Sequence, residues 1–203
     1  MISVGIVDYG VGNIHSLSKS IRIAGFRPEI SSSKELLSKS DIILLPGVGS
    51  FSFAIDNLKK SGLDSFIIKQ SKIDKPIIGI CLGMQLLCSN STEGGINKGL
   101  GIIPGKIKRM RNSKFHIGWN SIQLKNKNHF LKRFNNHEFF FNHGYQFEGN
   151  QKYVIAETEF EKSFPTIIKK NNTIGFQFHP EKSQKAGIQL LKKTIKSISN
   201  LEW

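Results

Sequence analysis

The 203-residue sequence has little cysteine, tryptophan or methionine, at two, two and three residues, and six prolines. Two thiols cannot build a disulfide framework. With no basic leader in the opening "MISVGIVDYG", they predict a cytoplasmic, reducing setting in which a thiol is kept for its reactivity. No apolar run approaches the ~18 residues of a membrane-spanning helix, so no membrane partner is expected. Acidic residues are also scarce, 15 against 29 basic ones, giving a formal charge of +14. Such an excess raises nucleic acid as a partner. Yet 24 of the basic residues are lysine and five arginine, scattered along the chain. Zinc-finger spacing, an RNP motif and a basic-region helix are all missing, and arginine is the preferred reader of guanine edges. No nucleic-acid partner is therefore expected. The charge is left to solvation or to an acidic protein surface.

What is present belongs to a folded chain. A hydrophobic share of 38% with 22% charged residues argues against disorder. There is no repeat, linker or low-complexity tract, so one domain over residues 1–203 is expected. The first half alternates short apolar runs with helical spacing. Strands are predicted at 2–8, 27–31, 41–47 and 75–81, and helices at 14–24, 52–60 and 63–71. Continuous apolar strands separated by helices indicate a parallel sheet covered on both faces. From 105 to 178 the pattern becomes strand-like and turn-rich, predicting a mixed or antiparallel extension. An amphipathic helix over 183–200 closes the chain. The fold class is α/β, with a central, mostly parallel sheet flanked by helices.

The two thiols are not equivalent. Cys81 lies in "GICLG" (79–83), a G-x-C-x-G string between a buried strand and a predicted helix running on through "MQLLCSN". This is the cysteine counterpart of the serine nucleophile elbow, a tight turn that exposes its central side chain. Flanking glycines tolerate close packing and unusual dihedrals, and a helix N-terminus favours thiolate. Cys88, seven residues on, is expected on the same helical face, as packing.

A cysteine nucleophile needs a base, and the base an orienting acceptor. Among six histidines, His179 in "GFQFHPEKS" follows a predicted strand and precedes Pro180. That puts it at the carboxyl edge of the sheet, where open α/β sheets keep their sites. Glu181, two residues on, is placed to fix the imidazole tautomer. Acyl chemistry also needs oxyanion donors. The Leu82 amide is one candidate, and the strand-end loop "LLPGVGSF" (44–51) supplies others at Val48 and Gly49.

Taken in order, "VDYGVGNIHS", "PGVGSF", "GICLGMQLL", "STEGG", "GLGIIPG", "HIGWN" and "GFQFHPEKS" cover nearly the whole chain. The set resembles class I, triad-type glutamine amidotransferases, and more narrowly the glutaminase subunits of imidazole glycerol phosphate synthases. The resemblance implies the flavodoxin-like fold of that class. It also implies a Cys81–His179–Glu181 triad hydrolysing glutamine to glutamate and ammonia through a thioester, with no metal or cofactor. Gly47, Gln85 and Glu93 would contact glutamine. The implied partner is the cyclase subunit, which uses the ammonia to make imidazole glycerol phosphate and aminoimidazole carboxamide ribotide in histidine biosynthesis. Asn13, Trp119, Tyr145 and Lys182 are candidates for that interface and the ammonia passage, with core packing the rival role for Trp119.

One stretch departs from the family pattern. Where the family carries a small hydroxyl residue after the histidine of this motif, "FFFNHGYQF" (139–147) has Gly144, with Asn142 ahead of it. A glycine there is expected to loosen the loop beside the site. The departure keeps open a paralogous glutaminase feeding another acceptor, such as a sugar-amidating synthase. A basic binding module that kept the fold and lost the chemistry is the non-enzyme rival, and intact Cys81, His179 and Glu181 speak against it.

Overall fold

The computed structural model describes residues 1–110, 115–126 and 129–199. In chain order the first half forms β1 (Ser3–Val7), α1 (Ile14–Ile23), β2 (Arg27–Ser31), α2 (Lys34–Lys39), β3 (Ile42–Leu45), α3 (Phe51–Ser61), α4 (Leu63–Lys72), β4 (Ile77–Ile80) and α5 (Leu82–Leu86). There follow β5 (Cys88–Ser91), β6 (Asn97–Lys98), β7 (Ile103–Arg109), β8 (His116–Ser121) and β9 (Gln123–Leu124). Next come β10 (Glu138–His143), β11 (Tyr145–Glu148), β12 (Val154–Phe160), β13 (Lys162–Lys170), β14 (Thr173–Phe176) and α6 (Gln184–Ile198).

The main sheet has strand order β2-β1-β3-β4-β14-β13-β12-β9. Its pairs from β2 through β14 are parallel, and those from β14 to β9 are antiparallel. Strands β1, β3, β4 and β14 are buried along their whole length, as a sheet covered on both faces requires. The alternation of side chains sorts the core. Ile42 and Leu44 of β3 join Leu17 and Ile21 of α1 and Leu190 and Ile195 of α6. Ile43 and Leu45 turn the other way, onto Leu37 of α2, Ile55 and Leu58 of α3, Ile67 of α4 and Met84 of α5.

The expected extension is present, but only in part within the same sheet. Strands β13, β12 and β9 extend it, whereas β10-β8 and β11-β7-β5-β6 form two further small sheets. The predicted strand over 138–147 is divided at Gly144 between β10 and β11, which pair with β8 and β7 respectively. Helix α2, a single buried turn-and-a-half around Leu37 capped by the Ser33 hydroxyl, carried too short a pattern to be read in advance. The predicted strand at 115–124 appears as β8 and β9, while position 200 of the predicted last helix lies outside the described residues.

The helix after Cys81 is shorter than predicted. Chain returning from the β6 hairpin donates Leu100 N to Leu86 O and both Ile102 N and Ile103 N to Leu87 O. Those carbonyls are thereby withdrawn from helix propagation, and Cys88 begins β5, paired with Ile103 of β7. The helical placement of Cys88 is thus corrected, although its thiol is fully buried and burial pushes its pKa up.

Among the described residues no helix is long and apolar enough to cross a membrane, and no cluster of three or more His, Cys, Asp or Glu is arranged to hold a metal ion.

Candidate active site

Cys81 sits at the turn from β4 to α5 with φ 51° and ψ −109°. A side chain at positive φ is strained, so the surroundings must impose this conformation. The two flanking glycines show how. A Cβ at Gly83 would lie 1.9 Å from Leu45 O, and one at Gly79 would lie 2.8 Å from Met84 N. Both glycines are needed because strand and helix backbones approach without room for a methyl group. The unusual dihedrals fall on Cys81 itself, whereas the sequence had assigned that task to its glycine neighbours. Cys81 N donates to Phe176 O at 2.7 Å, tying the elbow to the next strand.

His179 follows β14 at the same edge. Its Nδ1 is 2.8 Å from Glu181 Oε1, and the two side chains are only 2% and 4% exposed. Burial disfavours the imidazolium, but the nearby Cys81 sulfur and the Glu181 carboxylate outweigh it and raise the His179 pKa to about 10. The turn is pinned to β10: His179 N donates to Phe140 O at 2.8 Å, and Ser183 Oγ accepts from Phe140 N at 2.9 Å.

Cys81 and His179 open onto a cavity of about 340 Å³, also lined by Val48, Gly49, Leu82, Gln85 and Glu93. Its size suits a small polar molecule. Leu82 opens α5, so its amide is among the unpaired donors of the first helical turn. The 46–49 loop is held by the buried Tyr9 hydroxyl, which donates to Pro46 O at 2.6 Å. Burial and the neighbouring Cys81 both push the Tyr9 pKa up, keeping it a neutral donor. Gly49 has φ +92° and open space where a side chain would be. Gly47 lies apart from the cavity: a Cβ there would meet Gly83 N and Leu82 Cβ at 2.8 Å, so it packs beneath the elbow.

Gln85 is 4% exposed, and its Nε2 donates to Tyr145 O at 3.2 Å and to Gln177 Oε1 at 3.3 Å. Glu93 Oε2 accepts from Phe51 N at 3.1 Å and so caps α3, whose own N-cap residue Ser50 makes no side-chain bond. Burial raises the Glu93 pKa against that hydrogen bond.

Of the residues predicted at the interface, Trp119 and Lys182 meet around Phe140. Trp119 is edge-on to that ring at 6.1 Å, and Lys182 Nζ stands 5.7 Å from its centre. Trp119 is 45% exposed, which removes its core-packing role. Tyr145 is half-buried beside the cavity, and exposed Asn13 caps α1 by accepting from Ser16 N at 3.3 Å. Gly144 does not loosen its strand junction: Met110 N donates to Gly144 O at 2.9 Å, and a Cβ would strike Phe115 at 2.8 Å. The Phe115 ring occupies the place of the missing side chain.

Three participants escaped the sequence. Gln177 Nε2 stands 3.9 Å from Cys81 Sγ, and the thiol faces Asn142 O at 3.8 Å. Both depend on neighbours distant in sequence. Only the β14–β4 register, Phe176 beside Ile80, brings Gln177 next to Cys81. The third, Tyr9, lay in a glycine-rich turn with no local signal for burial.

The family model for "Glutamine amidotransferase class-I" matches residues 5–197. Among solved structures, a glutamine amidotransferase superposes with a TM-score of 0.75 at 14% identity, covering 97% of this chain and 98% of the other. PurLQS from Thermotoga maritima gives 0.73 at 21% identity, covering 98% of each, so both share the fold. Curated relatives are closer in sequence. Imidazole glycerol phosphate synthase subunit HisH of Caldanaerobacter subterraneus is 40% identical over 193 residues, 93% of this chain and 95% of its own. That of Archaeoglobus fulgidus is 38% identical over 198 residues, 95% and 97%. The chain belongs to the class-I glutamine amidotransferases, a family of enzymes. Within that class it groups with the imidazole glycerol phosphate synthase HisH subunits.

Proposed function

We propose that this chain hydrolyses glutamine to glutamate and ammonia and passes the ammonia to a cyclase subunit, as one half of an imidazole glycerol phosphate synthase in the cytoplasm. The observation that carries the reading is the forced positive φ of Cys81, which faces His179 with Glu181 2.8 Å behind it.

The sulfur attacks the side-chain amide carbon of glutamine, and the carbonyl oxygen becomes an oxyanion. Backbone N–H groups of Leu82 and of the Val48–Gly49 segment are the donors for that charge. His179, raised toward the imidazolium by its neighbours, protonates the departing nitrogen, which leaves as ammonia. The resulting thioester is attacked by water, whose proton returns to His179. Glutamate then leaves and the sulfur is regenerated. Glu181 holds the ring in one tautomer throughout. Gln85, with its amide nitrogen already committed inside the protein, offers Oε1 to the polar end of the substrate, and Glu93 flanks the other side of the cavity. Gly47 contributes from beneath, by letting the elbow pack.

The partner would dock over the cavity mouth. Support comes from an exposed apolar rim, with Phe115 60%, Ile117 65% and Trp119 45% exposed beside Lys182. Docking there would enclose ammonia between the two subunits, past Asn13 and Tyr145.

The test is glutamate release from glutamine by the full chain, alone and with a cyclase subunit and its ligand. Activity is expected to rise with the partner and to vanish in Cys81→Ala. Undiminished turnover in Cys81→Ala would overturn the nucleophile. Turnover that no histidine-pathway cyclase stimulates would overturn the partner.

A further inference from the structure

We infer that Gln177 is a catalytic N–H donor to the Cys81 sulfur, aimed by Gln85 and the Tyr145 carbonyl; the inference rests on Cys81 being the nucleophile proposed above.

The donor–acceptor logic runs outward from one backbone oxygen. Tyr145 O can only accept, and it is 2.8 Å from His143 Nδ1 and 3.2 Å from Gln85 Nε2. That fixes the amide of Gln85 with its nitrogen inward. The same nitrogen lies 3.3 Å from Gln177 Oε1, so Gln177 must present oxygen to Gln85 and nitrogen to the other side. On that other side is Cys81 Sγ, at 3.9 Å. Gln177 is fully buried, so no water competes for the bond, and its backbone is held by Gln177 N donating to Thr166 O at 2.9 Å.

The sulfur needs such a donor. Its other close polar neighbour outside the triad is Asn142 O, at 3.8 Å, which accepts from a thiol but repels a thiolate. His179 cannot serve throughout, because it gives its proton to the departing ammonia. The Gln177 amide neither gains nor loses a proton in either half of the reaction. It can therefore hold the sulfur while the imidazole changes charge, and it shares its acceptor side with a residue that lines the cavity.

Alkylation of the full chain by iodoacetamide at pH 7 tests this, since it reads the thiolate without glutamine or partner. Cys81→Ala is the blank, Cys88 being fully buried. Gln177→Met, similar in shape but without donors, is expected to alkylate about tenfold more slowly, the worth of one hydrogen bond to a charged group. Gln177→Glu keeps the acceptor for Gln85 but turns an anionic oxygen toward the sulfur, and is expected to be slower still. Wild-type alkylation rates in both, with wild-type melting curves, overturn the assignment. If both unfold early, Gln85→Leu decides: a loss of about threefold from an unaimed amide supports the donor, and an unchanged rate overturns it. Expected alkylation rates in a chain that releases no ammonia from glutamine would keep the donor and remove the glutaminase function. Full glutamine turnover by Gln177→Glu would do the reverse.

Discussion

At the scale of single residues, the elbow divides its tasks in a way the string G-x-C-x-G conceals. Gly79 and Gly83 are there for space, since a Cβ at either would enter neighbouring backbone. Cys81 is the residue that bears the strained dihedrals. Alanine is ordinarily the better residue than glycine in folded structure, by about 0.5–1 kcal/mol. At φ 51° the order should invert. Cys81→Gly is therefore expected to melt above Cys81→Ala, both being inactive. Differential scanning calorimetry of the two variants checks it, and a higher melting temperature for alanine would mean the turn stores no strain.

At the scale of elements, β10 binds the molecule's two functions together. Its inward residues Phe139 and Phe141 are fully buried in the aromatic core, and Phe139 stacks on Phe178, next to His179, with centroids 4.3 Å apart. Its backbone grips the triad turn at Phe140 and faces the sulfur at Asn142. Across the ribbon, Phe140 pairs with Trp119 and Asn142 with Ile117, so its outward face forms part of the apolar rim. A partner pressing on Trp119 would thus press on a strand that touches both the nucleophile and its base. Trp119→Ala is expected to weaken cyclase binding by about 2 kcal/mol or more, as for a buried aromatic anchor. Because Trp119 is 45% exposed in the free chain, melting should change little. Titration calorimetry measures the first effect, and a loss of less than about threefold in affinity would remove Trp119 from the interface.

At the scale of the whole molecule, the aromatic core carries a charge liability. His116 is stacked between Phe141 and Phe160 at 4.5 and 4.3 Å, and burial pushes its pKa down to about 4. Burial also pushes down His143, to about 3, with repulsion from His116 and His179 and against its hydrogen bond to Tyr145 O. Unfolded histidine titrates near 6.5. Below that pH the unfolded chain takes up protons that the native rings refuse. The stability from burying both rings neutral is therefore complete above pH ~6.5 and is lost as the pH falls toward the folded values, by up to about 1.4 kcal/mol per pH unit for each ring. Urea denaturation at pH 7.5 and 5 should show the decline, and His116→Phe, matched in shape to its stacked neighbours, should flatten it. Equal pH slopes in the two proteins would exclude His116 as its source.

The sequence by itself determined the elements whose cause is local. Buried runs such as "DIILLPG", glycine and proline stops, and the spacing of α1 and α6 follow from burial and chain geometry alone. It also singled out Cys81, His179 and Glu181, because a nucleophile between glycines and a His-Pro-Glu at a strand end are short-range patterns. It misjudged the extent of α5, because the carbonyls that end that helix are taken by chain from residues 100–103. Only the tertiary structure decided which glycine at the elbow serves space and which position bears strain. It alone turned Gly144 from a weak point into a seat for Phe115, and brought Gln177 beside the sulfur. The reason is common to all three. Close approach of backbones and strand register are relations between segments far apart in the chain, and no local pattern of residues encodes them.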